Sequence, residues 1–263
     1  AAGGGRDGLV IATKTTGQGQ MVRPAQPISG ATLRVAAEAS LRRLGTDYID
    51  IYQLHWPNRG SYHFRQHWDY RPGADRLGTE AGMLDVLGEA ARLIGGGEIR
   101  HIALSNESVW GAAKWLSRVV TVQNEYSLLC RQFDTDWAEL SAMENLPLLA
   151  FSPLATGLLS GKYAGDVTPE GSRRSLNPTL SGRITPRVFP AVAAYLGVAA
   201  RHGLHPCQMA IAWCLARPFP CIPTVGATRP EQLSNALGAA DLALSSEVLA
   251  EIEAVHRDWP MPY

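Results

Sequence analysis

The sequence predicts an α/β chain built on a parallel sheet, closed as a (β/α)8 TIM barrel rather than left as an open doubly wound layer. Three observations carry this. Short apolar runs alternate with helix-period segments along the whole 263 residues, as strand–helix units do in a parallel sheet. The runs are β-branched or leucine-rich without strict alternation, as strands buried on both faces are. An open sheet would usually seat a dinucleotide on Gly-x-Gly-x-x-Gly after its first strand. Here Gly17-Gln18-Gly19-Gln20-Met21-Val22 keeps only the first two glycines and opens no helix.

Strands are expected at 9–13, 48–54, 101–104, 119–122, 147–151 and 221–225. Helices are expected at 29–44, where Leu33, Ala36, Ala37 and Leu41 make an apolar stripe, and at 81–94, 134–144, 188–202 and 206–216. Residues 230–237 open on Pro230, a favoured first position, and 245–256 follow a serine cap at Ser245 or Ser246. Six units fall two short of the eight that close a barrel, so either two strands precede residue 1 or the sheet is open. The first residues, Ala1-Ala2-Gly3-Gly4-Gly5-Arg6, carry no initiator methionine and do not read as a true beginning. All of 1–263 is read as one domain, incomplete at its front.

Three connections stand out. The loops at 56–79 and 152–186 are too long to be mere links, and each follows a strand, which puts it on the catalytic face of a barrel. The first is rich in aromatics (Trp56, Tyr62, Phe64, Trp68, Tyr70), suggesting either a partly apolar pocket or an oligomer contact. The stretch 108–118 has the opposite character: a helix of about nine residues there spans only about 14 Å, so residues are expected to be missing from it.

Composition narrows the function. Twenty-four basic residues balance twenty-four acidic ones, and 46% of residues are hydrophobic. Without a basic excess, a nucleic-acid or membrane-surface partner is not expected, while an anionic small ligand needs only a few local donors. Cysteines 130, 207, 214 and 221 form no Cys-x-x-Cys pair, so they are read as free buried thiols of a cytoplasmic protein rather than zinc ligands or disulfides. No apolar run reaches the ~18 residues of a membrane span.

The chemistry sits where the apolar runs end. The runs finish at Lys14, His55, Ser105-Asn106, Gln123, Ser152 and Gly226, and in a barrel such ends converge on one mouth. Asp50, inside its strand, is read as a structural hydrogen-bonding group, and His63 and His67 as loop surface.

These motifs resemble the aldo-keto reductase superfamily. Val10-Ile11-Ala12-Thr13-Lys14, Tyr48-Ile49-Asp50-Ile51-Tyr52-Gln53-Leu54-His55-Trp56-Pro57 and Ile99-Arg100-His101-Ile102-Ala103-Leu104-Ser105-Asn106 look like that family's third, fourth and fifth strands. Val122-Gln123-Asn124-Glu125-Tyr126-Ser127, the stretch from Phe151-Ser152-Pro153-Leu154 to Ser160-Gly161-Lys162-Tyr163, and Gly226-Ala227-Thr228-Arg229-Pro230-Glu231-Gln232-Leu233 look like its later strands and loops. The resemblance spans nearly the whole chain and is most marked with the Tas-like bacterial branch.

That resemblance implies carbonyl reduction by hydride transfer from NADP(H), using an Asp, Tyr, Lys, His tetrad. Lys14 and His55 match the last two members. The family's Asp and Tyr lie at and just after its second strand, and no Asp-Thr-Ala followed by Tyr occurs here, in agreement with the strand count. Ser105, Asn106 and Gln123 match the residues that hold the nicotinamide carboxamide, and Phe151 matches the ring against the nicotinamide face. Ser152, Leu154, Gly157 and Lys162 match the loop over the pyrophosphate, with Arg173 a further candidate. Gly226, Thr228 and Gln232 match the adenosine-phosphate segment. There the sequence departs: the usual lysine ahead of the segment is absent, and the adenine-contacting Asn falls at Ala236, with Asn235 one position early. Arg229 is the substitute phosphate partner. A small carbonyl substrate is implied. The superfamily also includes nucleotide-binding regulatory subunits of potassium channels, whose Ser-Pro-Leu…Ser-Gly-Lys-Tyr loop is similar, and the cofactor motifs do not separate the two. Substrate identity and oligomeric state stay open.

Overall fold

The computed structural model describes residues 5–18 and 26–263. Ala1 to Gly4 and the Gly19–Val22 half of the glycine motif lie outside the described residues. Six strands pair in parallel within an α/β arrangement, and the chain divides into two compact units.

The first unit comprises the described part of Ala1–Tyr62 together with Gln66–Gln123. It holds β1 (Ala12–Thr15), α1 (Gly30–Leu44), β2 (Ile49–Leu54), α2 (Arg76–Gly95), β3 (Ile99–Ser105), α3 (Val109–Trp115) and most of β4 (Val119–Glu125). Helix α1 begins where Ser29 and Thr32 cap each other: Thr32 N–H donates to Ser29 Oγ at 3.2 Å and Ser29 N–H to Thr32 Oγ1 at 2.8 Å. It ends at Gly45, whose φ of 63° suits glycine. Its stripe of Leu33, Ala36 and Ala37 is buried and packs with α2, as the helical period required.

The second unit comprises His63–Arg65 with Asn124–Tyr263. It holds the last two residues of β4, then α4 (Asp136–Met143), β5 (Leu148–Phe151), α5 (Arg173–Leu176), α6 (Val188–Arg201), α7 (Pro206–Leu215), β6 (Cys221–Thr224), α8 (Pro230–Leu237) and α9 (Ser246–Asp258). Its core is aromatic. Tyr126 stacks on Trp213 at 5.1 Å and Phe133 on Trp137 at 5.2 Å, and the guanidiniums of Arg131 and Arg217 lie 4.9 and 4.7 Å from the Trp213 ring. Such contacts add to the burial of large apolar area.

Several boundaries differ from the sequence reading. Strand β1 starts later than residue 9 because Leu9 and Val10 are exposed and follow a 3-10 turn at Arg6–Gly8. Lys14 and Gln123 lie inside β1 and β4 rather than at their ends, because those strands run on to Thr15 and Glu125. Helix α2 starts five residues before residue 81, because Asp75 caps it by accepting from Gly78 N–H at 2.9 Å; glycines in the first turns hide that start. The 152–186 loop contains 3-10 turns and α5. Helix α3 is short, and a 3-10 turn at Leu116–Arg118 carries it straight to Val119. His63 is buried, not surface, and His67 is half-buried. Of the free cysteines, 130 and 214 are buried while 207 and 221 are half-buried. Asp50 is structural as read, accepting from Ile11 N–H at 2.9 Å, Arg6 at 2.8 Å and Arg100 at 3.0 Å.

Candidate active site

Strand register assembles the first half of the site. Lys14 pairs with Gln53 and Gln53 with Ala103; Ser105 pairs with Gln123. Paired residues of parallel strands share a face, and so do residues two apart. Lys14, Gln53, His55, Ser105 and Gln123 therefore project from one face, with Lys14 and Gln53 one layer before His55 and Ser105. Leu54 and Leu104, one step out of phase, project from the other face. There they line a cavity of about 250 Å3 with Trp56, Met83, Val86 and Trp115. Ser105 also borders that cavity, whereas Lys14 and His55 do not.

His55 sits just past β2, held by its own N–H donating to Thr15 O at 3.0 Å. Its ring lies 4.4 Å from that of Trp56, and Trp56 Nε1 donates to Gln18 O at 3.1 Å. Burial, reinforced by the positive charge of Lys14, pulls the imidazole pKa down to about 4. Burial likewise pulls the Lys14 amine below the usual lysine range. At neutral pH the pair is thus a neutral imidazole beside a cation of weakened affinity for its proton. Such a pair can donate a hydrogen bond to a carbonyl oxygen and stabilise negative charge growing on it.

Beside this pair lies a polar cluster. Asn106, at φ 51°, donates through Nδ2 to His55 O at 2.9 Å and to Ser105 Oγ at 3.1 Å. Ser105 Oγ donates to Gln123 O at 2.9 Å. Asn106 Oδ1 and Gln123 Oε1 are buried with no hydrogen-bond partner among the described residues. Two orphaned amide oxygens are costly unless a donor arrives, and the N–H2 of a carboxamide offers the two donors they lack. Gln53, which sequence reasoning passed over, is also buried with both amide atoms unpartnered among the described residues. Its signal was present: it alternates with His55 and faces Lys14.

The second unit carries the remaining candidates. Phe151, the last residue of β5, pairs with Thr224 and is half-buried. Ser152 (φ 56°), Ala155 (φ 46°), Thr156 (φ 57°) and Gly157 (φ 98°) bend the following loop through the left-handed region, a conformation in which backbone N–H groups can gather round an anion. A Cβ on Gly157 would lie 2.8 Å from Lys162 Cε, so this glycine lets the Lys162 stem cross the loop while its amine stays exposed. Leu154 instead packs with the Ile211–Ala212 cluster. Arg173 is exposed at the start of α5; its neighbour Arg174 is the buried one, bonded to Asp166 and to Val167 O. At the start of α8, Thr228 donates its N–H and hydroxyl to Gln232 Oε1 at 3.0 and 3.2 Å. Gly226, Thr228, Arg229 and Gln232 are all exposed there, and a helix start suits an anion. Asn235 is half-buried, and its carbonyl accepts from Gln208 at 3.1 Å.

Comparison with known proteins decides the family. The model of the aldo/keto reductase family matches residues 2–257. The chain belongs to the aldo/keto reductase family, a family of oxidoreductases. Protein tas of Escherichia coli is 40% identical over 275 residues, covering 98% of this chain and 78% of that protein. An aldo-keto reductase of Babesia bovis is 33% identical, covering 86% of this chain and 87% of that one. Among solved structures, a glycerol dehydrogenase from Gluconobacter oxydans superposes with a TM-score of 0.72 at 24% identity, over 95% of this chain and 73% of that chain. The fold of this aldo/keto reductase family member is accordingly the family's α/β barrel type, with six of its parallel strands among the described residues. No helix among those residues is long and apolar enough to cross a membrane.

Proposed function

We propose that this family member is an NADP(H)-dependent reductase that converts an aldehyde or ketone to its alcohol in the cytoplasm. One observation carries the reading. Lys14, His55, Ser105 and Gln123 share a face of adjoining strands, beside amide oxygens that await donors. Asn106 and Gln123 would hold the carboxamide of the cofactor, with Ser105 fixing their geometry. The loop from Ser152 to Lys162 and the start of α8 would hold its phosphates. When bound, the cofactor supplies a hydride to the carbonyl carbon.

The chain's own residues handle the carbonyl oxygen. His55, neutral at pH 7, donates a hydrogen bond that orients the oxygen. Lys14 lowers the energy of negative charge building there and would lower the pKa of a neighbouring acid. The family resemblance assigns that acid to a tyrosine with no counterpart in the 263 residues. The test is carbonyl-dependent oxidation of NADPH by protein expressed from its full coding sequence, on a panel of aldehydes and ketones. Turnover that falls by the ~10²–10⁴ typical of acid–base chemistry when Lys14 is replaced by Met is the expected result. Tight NADPH binding without turnover of any carbonyl would overturn the reading.

A further inference from the structure

Every residue that lines the cavity beside Leu54 and Leu104 belongs to the first unit. Its walls are largely apolar, built from Ile28, Leu54, Met83, Val86, Leu104 and Trp115. All of these but Met83 are buried, yet about 250 Å3 between them is left open. A void of that size forfeits the contacts its lining could make, and filling it would stabilise the fold.

Gly82 adds to that cost. It stands in the second turn of α2, on the cavity wall, and glycine inside a helix is unfavourable. Gly78, also on the wall, has a local reason: a Cβ there would collide with the Asp75 carboxylate that caps the helix. Gly82 has none, since a Cβ there would meet no atom within 4 Å. The helix is bare where a side chain could fill the space.

The polar atoms of the wall say what the space would accept. Arg59 and Glu107 pair with each other, and Glu107 also accepts from Ser108 N–H at 2.7 Å. Asn58 bonds both backbone polar atoms of Ile28, at 2.8 and 2.7 Å. Thr79 donates to Asp75 O at 2.7 Å, Trp56 to Gln18 O at 3.1 Å and Ser105 to Gln123 O at 2.9 Å. Trp115 is the exception. It is 4% exposed, and its Nε1–H has no partner among the described residues. A buried indole N–H usually finds one, and it can only donate.

We propose that this cavity is a binding site for a neutral, mostly apolar small molecule that carries one hydrogen-bond acceptor, placed to receive Trp115 Nε1–H. The charges on the wall are already paired, so an ionic ligand would find no counter-charge waiting. A dry cavity of about 150 Å3 holds one benzene, so this one suits roughly ten non-hydrogen atoms. Apolar walls with a single placed polar group are the usual make-up of a ligand pocket. Departures from good local choices, here a helix glycine, a void and an orphaned donor in one place, are expected at functional sites. Lys14 and His55 do not line the cavity, so the proposal stands or falls apart from the reductase reading.

Quinoline and naphthalene test it, because they share size and shape and differ by one acceptor nitrogen. Each is titrated into the full-length protein and followed on the indole N–H resonances, with that of Trp115 identified by its loss in Trp115→Phe. Quinoline should shift the Trp115 resonance saturably and bind roughly three- to tenfold more tightly than naphthalene, the worth of one neutral hydrogen bond. Trp115→Phe should bring quinoline down to the level of naphthalene. Gly82→Leu should fill the space and abolish binding of both, while the melting temperature holds or rises. If Gly82→Leu fails to fold, the two probes on wild type and Trp115→Phe still decide. No saturable shift of Trp115 with either probe would overturn the site, and so would binding that survives in folded Gly82→Leu. Equal affinity for the two probes in wild type would overturn the role of the Trp115 donor.

Discussion

Lys14 stands one strand layer before His55 on the same face of adjoining parallel strands, and its ammonium helps keep the imidazole neutral. Replacing Lys14 by Met removes the charge at similar volume. Turnover should fall by the ~10²–10⁴ typical of acid–base chemistry, with NADPH affinity unchanged within error. Single-turnover kinetics and a fluorescence titration of the cofactor separate these effects. Loss of cofactor binding in step with turnover would instead make Lys14 a binding residue.

The same pair fixes a pH dependence. His55 titrates at about 4 in the folded protein, against roughly 6.5 when unfolded. Between those values the unfolded state binds more protons, so stability rises with pH. The contribution is fully present above about 6.5 and is lost as pH falls through 4. Urea midpoints at pH 4, 5, 6 and 7 should diverge between wild type and His55→Gln on the acid side only. In Lys14→Met the His55 pKa, followed by NMR, should rise, since a positive neighbour has gone; burial, the larger cause, remains.

Gln123→Ala removes an oxygen that has no partner among the described residues. Cofactor affinity should drop roughly five- to tenfold, the worth of one neutral hydrogen bond. The melting temperature without cofactor should hold or rise, because a buried orphan acceptor has been deleted. A lower apo melting temperature with unchanged affinity would make Gln123 structural.

Phe151 is half-buried at the end of β5, so Phe151→Ala should cost the apo protein less than the ~3–5 kcal/mol of a fully buried phenylalanine. Cofactor binding should weaken clearly, because the exposed part of the ring is the part offered to a nicotinamide. Thermal melts with and without NADPH distinguish this from a packing role.

NADPH should bind about tenfold or more tightly than NADH, the worth of one charge-assisted contact to its extra phosphate. Thr228, Arg229 and Gln232 lie exposed at a helix start to supply it. Arg229→Ala should narrow the gap. Equal affinities in wild type would remove the phosphate site from this segment.

By itself the sequence determined the alternation of strands and helices and the parallel sheet. The reason is local: side chains two apart along a strand share a face whatever the rest of the chain does, whereas the register that sets Lys14, Gln53, Ser105 and Gln123 beside one another came from strand pairing. The serine cap ahead of α9, read as Ser245 or Ser246, was legible for the same reason and falls on Ser245, while the capping role of Ser29 came from the structure. Tertiary structure decided what long-range closure controls. Glu125 was visible only as a letter after Gln123, and its partners Arg65, Arg183 and Tyr263 lie 60, 58 and 138 positions away. His63 is buried because its loop folds inward, which no spacing encodes. The orphaned oxygens of Asn106 and Gln123 could not be read at all from residue type, because a missing hydrogen bond exists only once every possible partner has been placed.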